Sequence, residues 1–119
     1  MKIELMDKNK IPYKFEYPNS IKKAVKLELV NIMPWIIMDK KIATETLIGL
    51  QSRYPTKKFI PFAFCYSNDE VACFVEGKGE EVQIVHDFAS PGWEERRKYK
   101  NFWEWFKSIL DDMIYQDFD

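Results

Sequence analysis

Read for the spacing of its apolar positions, the chain divides into segments of different period. Residues 11 to 17 alternate as Ile-Pro-Tyr-Lys-Phe-Glu-Tyr, the two-residue repeat of a short extended segment or edge strand. Pro18-Asn19-Ser20 then opens a helix in which Ile21, Ala24, Val25 and Leu29 share one face and Lys22, Lys23 and Lys26 the other. Met33-Pro34-Trp35 ends that unit, Trp35 to Met38 reads as a short buried strand, and Asp39 is a candidate N-cap for a second helix. In that helix Ala43, Leu47, Leu50 and Tyr54 recur at spacings of four, three and four, and Pro55 closes it.

The period then shortens. Phe59 to Cys65 and Val71 to Glu76 flank the polar run Tyr66 to Glu70, which predicts an antiparallel hairpin with a five-residue loop; Pro61 marks a bulge or an edge. After the turn Gly77-Lys78-Gly79, Val82 to Asp87 forms a third strand with Val82, Ile84 and His86 on one face, completing a meander. The last helix starts at Asn101, a capping residue, with Glu104 placed to close a capping box. Its apolar stripe is Phe102, Phe106, Ile109, Leu110 and Met113, with Trp103 and Ile114 along one margin and Trp105 along the other. The pattern predicts an α+β domain: a twisted, mainly antiparallel sheet with a central hairpin and meander, helices packed on it, and a long C-terminal helix lying flat against it.

Composition narrows the class. With 119 residues, 46% hydrophobic and 16% aromatic, the chain suits one core dominated by large rings, and without repeat, linker or low-complexity stretch it reads as a single domain over residues 1–119. The longest apolar run, Ile32 to Met38, is interrupted by Pro34 and falls short of the roughly 20 residues of a membrane helix. The opening Met-Lys-Ile-Glu-Leu has no apolar centre of a secretory signal, so a cytoplasmic location without membrane attachment is expected. Cys65 and Cys73 fall on neighbouring strands where a diagonal pairing is open, but in the cytosol both read as small reduced core residues. Neither belongs to a Cys/His metal spacing, and no metal or cofactor is expected.

Net charge is −1, yet it is unevenly distributed: residues 1–60 hold 12 basic and 6 acidic side chains, residues 61–119 hold 6 and 13. An acidic patch from the second half is expected, and no nucleic-acid-binding face there. The candidate chemistry is thin. His86 and Asp87 are adjacent on a strand and point to opposite faces, and a Cys73–His86 dyad lacks a third orienting group. Asp69 with Glu76-Gly77-Lys78 follows the acid, acid-x-Lys order of metal-dependent nucleases, but the flanking Gly77 and Gly79 place it in a turn. Arg96-Arg97-Lys98-Tyr99-Lys100 has the basic and aromatic character of a nucleic-acid contact without a glycine-rich context, and reads as a solvated loop. An enzyme of the hydrolase or nuclease kind requires Asp69, Glu76, Lys78 and His86 to converge within about 5 Å around a pocket.

Five motifs in order, Pro34-Trp35, "IPFA" (Ile60 to Ala63), "DEVACF" (Asp69 to Phe74), "VHDFASPGWE" (Val85 to Glu94) and "FWEWF" (Phe102 to Phe106), resemble the SUKH superfamily, which takes in bacterial immunity proteins and a yeast regulator of cell-wall synthesis. The likeness covers residues 18 to 114 and leaves 1–17 as a divergent N-terminal segment. The superfamily's early helix, with a Leu-Pro entry and a glycine-rich exit, is reduced here to Pro18-Asn19-Ser20 and an exit without glycine. The resemblance implies an α+β fold, no catalysis, and a protein partner. That partner is a cognate bacterial toxin, often a nuclease, neutralised by occlusion; the alternative is a regulatory or adaptor role of the cell-wall-synthesis type. A monomer or weak dimer is expected.

The partner-binding residues are expected on two loops, the one between the third strand and the last helix and the hairpin loop from Ser67 to Glu70. They are Asp69, Glu70, Asp87, Trp93, Glu94 and Glu95. Asp87, Glu94 and Glu95 surround Trp93 on a segment with neither helical nor strand period, the pattern of an aromatic anchor inside a charged rim. The competing reading folds the Trp93 indole back onto the sheet.

Overall fold

A computed structural model describes residues 2–115; Met1 and residues 116–119, which the single-domain expectation includes, lie outside the described residues. Six strands form one antiparallel sheet whose spatial order is the chain order: β1 (Asn31–Ile32), β2 (Trp35–Ile37), β3 (Phe59–Cys65), β4 (Glu70–Val75), β5 (Val82–His86) and β6 (Glu95–Tyr99). The helices are α1 (Asn19–Lys26), α2 (Lys40–Arg53) and α3 (Phe102–Tyr115). The α+β class, the antiparallel meander and the C-terminal helix agree with the periodicity.

One irregularity organises the core. Pro61 pairs with Cys73 but Ala63 pairs with Ala72, so β3 carries one extra residue, Phe62, at the bulge that Pro61 marks. Phe62 stacks on Phe74 at 4.5 Å and meets Trp105 edge-on at 5.0 Å, while Phe102 lies 5.7 Å away. Trp105 also meets Trp35 of β2 at 5.6 Å, so α3 crosses the sheet with its indole at the centre of the contact. The opposite face takes α2, whose Ala43, Leu47, Leu50 and the following Tyr54 are all buried, as their spacing predicts. Tyr54 packs edge-on against Phe59.

Several expectations are corrected. Trp105 is 1% exposed and belongs to the middle of the stripe, whereas Leu110 and Met113 are each 37% exposed: α3 is rolled toward Phe62, whose ring fills the space an aliphatic stripe would otherwise have met. Asn101 caps the helix as expected, accepting the Glu104 N–H at 2.9 Å. Asp39 occupies the N-cap position of α2, but its carboxylate accepts the Glu4 N–H instead of capping. The hairpin loop is Tyr66 to Asp69, one residue shorter than expected, and the third strand ends at His86.

Residues 11–17 join no strand. Their alternation is nonetheless real: Ile11 is buried, Tyr13, Phe15 and Tyr17 are partly buried, and Lys14 and Glu16 face water. The segment lies over the sheet, with Phe15 5.4 Å from Phe74, and burial pushes the Tyr17 phenol up to about 12. The Lys14 N–H donates to the Glu76 carboxylate at 2.5 Å, which, with Lys58, holds that carboxyl below its ordinary range. Arg96 to Tyr99 of the basic run, expected as a loop, belong to the edge strand β6; exposed on both faces except at Tyr99, it has no apolar alternation to betray it.

The exit of α1 lacks glycine but keeps the geometry glycine usually supplies. Leu29 N–H bonds to Ala24 C=O and Glu28 N–H to Val25 C=O, with Glu28 at φ 59. Leu29, expected on the apolar face, therefore lies beyond the helix and is exposed.

Two outcomes follow from this packing. Trp105→Ala should cost about 3–5 kcal/mol and Leu110→Ala less than about 1 kcal/mol in urea denaturation, an order that would reverse if the stripe rather than the indole carried the contact. Glu28→Gly should stabilise the domain by about 1 kcal/mol in the same assay, because a left-handed residue with a side chain costs roughly that much; an unchanged midpoint would show Glu28 to be unstrained.

Candidate functional site

The two loops singled out from sequence lie side by side. The Asp87 N–H donates to the Asp69 carbonyl at 2.9 Å, which brings the β3–β4 loop against the segment that leaves β5. That segment, residues 87 to 94, is fastened at several points. Asp87 is buried and receives a fork from Arg53 of α2, with Nε to Oδ1 and NH2 to Oδ2 both at 2.7 Å. Oδ1 also accepts the Phe88 N–H at 2.8 Å. The Tyr54 hydroxyl donates to the Ala89 carbonyl at 2.8 Å, and burial, reinforced by the Asp87 and Glu94 carboxylates, raises its pKa.

Ser90-Pro91-Gly92-Trp93 is a turn closed by Trp93 N–H to Ser90 C=O at 2.9 Å, with Gly92 at φ 98, the left-handed position that glycine fills without strain. Glu94 locks the far side: Oε1 accepts the Gly92 N–H at 2.7 Å, and its carbonyl accepts the His86 N–H at 2.6 Å. Two rings project from this fastened loop. Trp93 is 73% exposed and Phe88 69% exposed, so the indole does not fold back onto the sheet. Phe88 has φ 66, and the Arg53 guanidinium carbon lies 4.1 Å from its ring centroid.

The expected acidic rim is accordingly rearranged. Asp87 and Glu94 are buried, because Arg53 and the Gly92 N–H need them as acceptors inside the loop. Glu70 is forked by Arg97 of β6 at 3.1 and 3.3 Å. Glu95 is exposed and 3.3 Å from Lys57, and Asp69 is exposed. Of the six residues named from sequence, Trp93, Asp69 and Glu95 present themselves to solvent, and Asp87, Glu94 and Glu70 hold the loop in shape.

The groups of the enzyme reading are not brought together. Asp69 precedes β4 and Glu76 follows it, so the strand separates them by roughly 20 Å. Cys73 pairs with Gln83, three residues from His86 on β5, so thiol and imidazole project from opposite faces. Both cysteines are free and buried, and burial, with Asp87 adding, raises the Cys73 thiol well above its usual pKa. Among the described residues no group of three or more His, Cys, Asp or Glu is placed to hold a metal ion, and no helix is long and apolar enough to cross a membrane.

Sequence reasoning missed Arg53 and Gly49. A Cβ at position 49 would stand 2.7 Å from Arg53 NH2, so the glycine one helical turn earlier makes room for the guanidinium to fold along α2 toward Asp87. The signal was present as a glycine inside an otherwise well-patterned helix, four residues before an arginine.

Gly49→Ala should therefore fail to deliver the roughly 1 kcal/mol that alanine brings to a helix interior, but should deliver it in an Arg53→Ala background. Arg53→Ala alone should cost about 2–3 kcal/mol, less than the loss of a fully buried pair, since the arginine side chain is 31% exposed against 8% for Asp87. Additive effects of the two substitutions in thermal melts would show that Gly49 does not serve Arg53. No protein-family model matches this chain, and no curated protein or solved structure matches it significantly.

Proposed function

We propose that the chain is a non-enzymatic, cytoplasmic protein-binding domain of the SUKH type that neutralises a cognate bacterial toxin by occlusion. The observation that supports it is the pair of exposed rings, Trp93 and Phe88, on a loop whose backbone is tied down by Arg53, Tyr54 and Glu94. Large rings bury much area on association, and a loop already ordered in the free protein loses little entropy when it binds. Phe88 is moreover held in a left-handed backbone conformation that a side chain of its size rarely adopts. Backbone of that kind persists where the surrounding bonds over-determine it, and it collects at sites that recognise something. The role as an immunity protein comes from the superfamily resemblance of the ordered motifs, and the acidic groups left facing solvent near the rings, Asp69 and Glu95, suit the basic surface of a nuclease toxin.

The test is protection. Co-expression should rescue cells from the toxin encoded by the neighbouring gene, and the purified pair should bind in surface plasmon resonance. Trp93→Ala should leave the melting temperature nearly unchanged and weaken that binding by about 2 kcal/mol or more. Charge reversal at Glu95 should mainly slow association, whereas the same change at Glu94 should unfasten the loop and lower the melting temperature. A harmless neighbouring gene product, or an unfolded Trp93→Ala protein, would overturn the proposal.

A further inference from the structure

The side of α2 next to its core stripe is not idle. Ile42, Thr46, Gly49 and Arg53 follow one another at spacings of four, three and four, one residue behind the buried Ala43, Leu47, Leu50 and Tyr54. They form one wall of an open cleft of about 440 Å³ between the helix and the sheet. Phe64 and Val71, cross-strand partners on β3 and β4, lie in the opposite wall, and Met38 also lines the space. From Ile42 to Arg53 the wall runs roughly 16 Å along the helix axis, the length of an extended segment of four or five residues. Gly49 keeps that wall low, and Phe88, against Arg53, also lines the cleft, so the cleft borders the loop that carries Trp93.

The charges around it have one sign left over. Asp87 is neutralised by Arg53 and Glu70 by Arg97. Glu45 and Asp69 also line the cleft, on opposite walls, and neither belongs to an ion pair among the described residues. An apolar channel with an unpaired carboxylate on each bank is complementary to a side chain with a long apolar stem and a cationic head, or to an apolar residue flanked by such side chains. Nucleic acid, with phosphates along its length, would be repelled by the same carboxylates.

We infer that this cleft is a docking groove for a basic segment of the partner protein, with an apolar side chain of that segment on Phe64 and Val71 and lysine or arginine heads against Glu45 and Asp69. The inference rests on the protein-binding reading and adds to it a second contact region, with its own chemistry, beyond the Phe88–Trp93 loop. The groove gives the partner's sequence a required feature, an apolar residue with basic neighbours, whereas the exposed rings alone ask only for an apolar surface.

Two synthetic peptides test it, Ac-Lys-Leu-Phe-Lys-Lys-NH2 and its acidic counterpart Ac-Glu-Leu-Phe-Glu-Glu-NH2, titrated into the 15N-labelled full chain. The basic peptide should shift the amides of Ile42, Gly49 and Val71 saturably, and the acidic one should not. Combining Glu45→Gln with Asp69→Asn should weaken the basic peptide roughly tenfold, as expected for two partly exposed ion pairs, without changing the melting temperature. Ile42→Ala should weaken it as well, and Trp93→Ala should leave it in place. Because Trp93→Ala separates the regions, loss of toxin binding in that variant with the peptide still bound supports both sites. Peptide binding without any toxin binding by the wild type would sink the immunity reading and keep the groove. No saturable shift at millimolar peptide, equal binding of both peptides, or shifts that map elsewhere would overturn the groove. So would concentration-dependent self-association in sedimentation that protects the same amides, since the occupant would then be a second copy.

Discussion

A carboxylate withdrawn from water must be met by a cation or by several N–H donors, and of the two buried here, Asp87 and Glu94, it is Asp87 that ties the site together. Arg53 supplies the fork and Phe88 a backbone donor, and from that arrangement the remaining features of the site follow. The arginine has to lie along its own helix, which requires Gly49; its guanidinium then covers one face of the Phe88 ring, and the ring is left facing outward. Asp87 in turn sets its N–H on the Asp69 carbonyl, which joins the two loops. One ion pair thus coordinates a helix, a strand end and two loops, and the display of aromatic surface depends on it.

The core on the other face is organised by shape instead of charge. The bulge at Phe62 places an additional ring between β3 and β4, and α3 is rotated so that Trp105 meets it. With Phe74 and Phe102 against Phe62 and with Trp35 against Trp105, rings and not aliphatic side chains set the distance between helix and sheet. The extended segment at residues 11–17 adds Phe15 and Tyr17 to the rim of this cluster without joining the ladder.

Much of the fold was legible because α2 and α3 each turn one apolar stripe to the sheet and the inner strands, covered on both faces, are short apolar runs between turn residues. The stripe of α2, the β3–β4 hairpin and the Asn101 cap were readable from residue type and spacing alone. β6 was not, since an edge strand exposed on both faces except at Tyr99 carries no two-residue repeat, and Glu95 to Tyr99 is almost wholly charged. Trp105 was misplaced to the margin because a helical wheel treats every apolar neighbour as equivalent, while the bulge that decides the rotation is forty residues away in the chain. At the site, the exposure of Trp93 was legible in its lack of periodic context. Asp87 and Glu94 looked like rim charges because nothing local reveals that Arg53 and the Gly92 N–H need acceptors there.

The chain-order meander has a consequence for how the domain is assembled. Each strand pairs only with its neighbours in sequence, so the sheet can zip outward from the β3–β4 hairpin through contacts that are cheap in loop entropy. The ring cluster obeys a different clock, because Trp105 must reach back to Phe62 and Trp35 across forty-three and seventy residues. All six strands precede α3 in the chain, so the aromatic face of the sheet is sealed only when α3 docks on it. Between zipping and sealing, that ring-bearing face is open to a second chain, and the docking of one helix is what closes it.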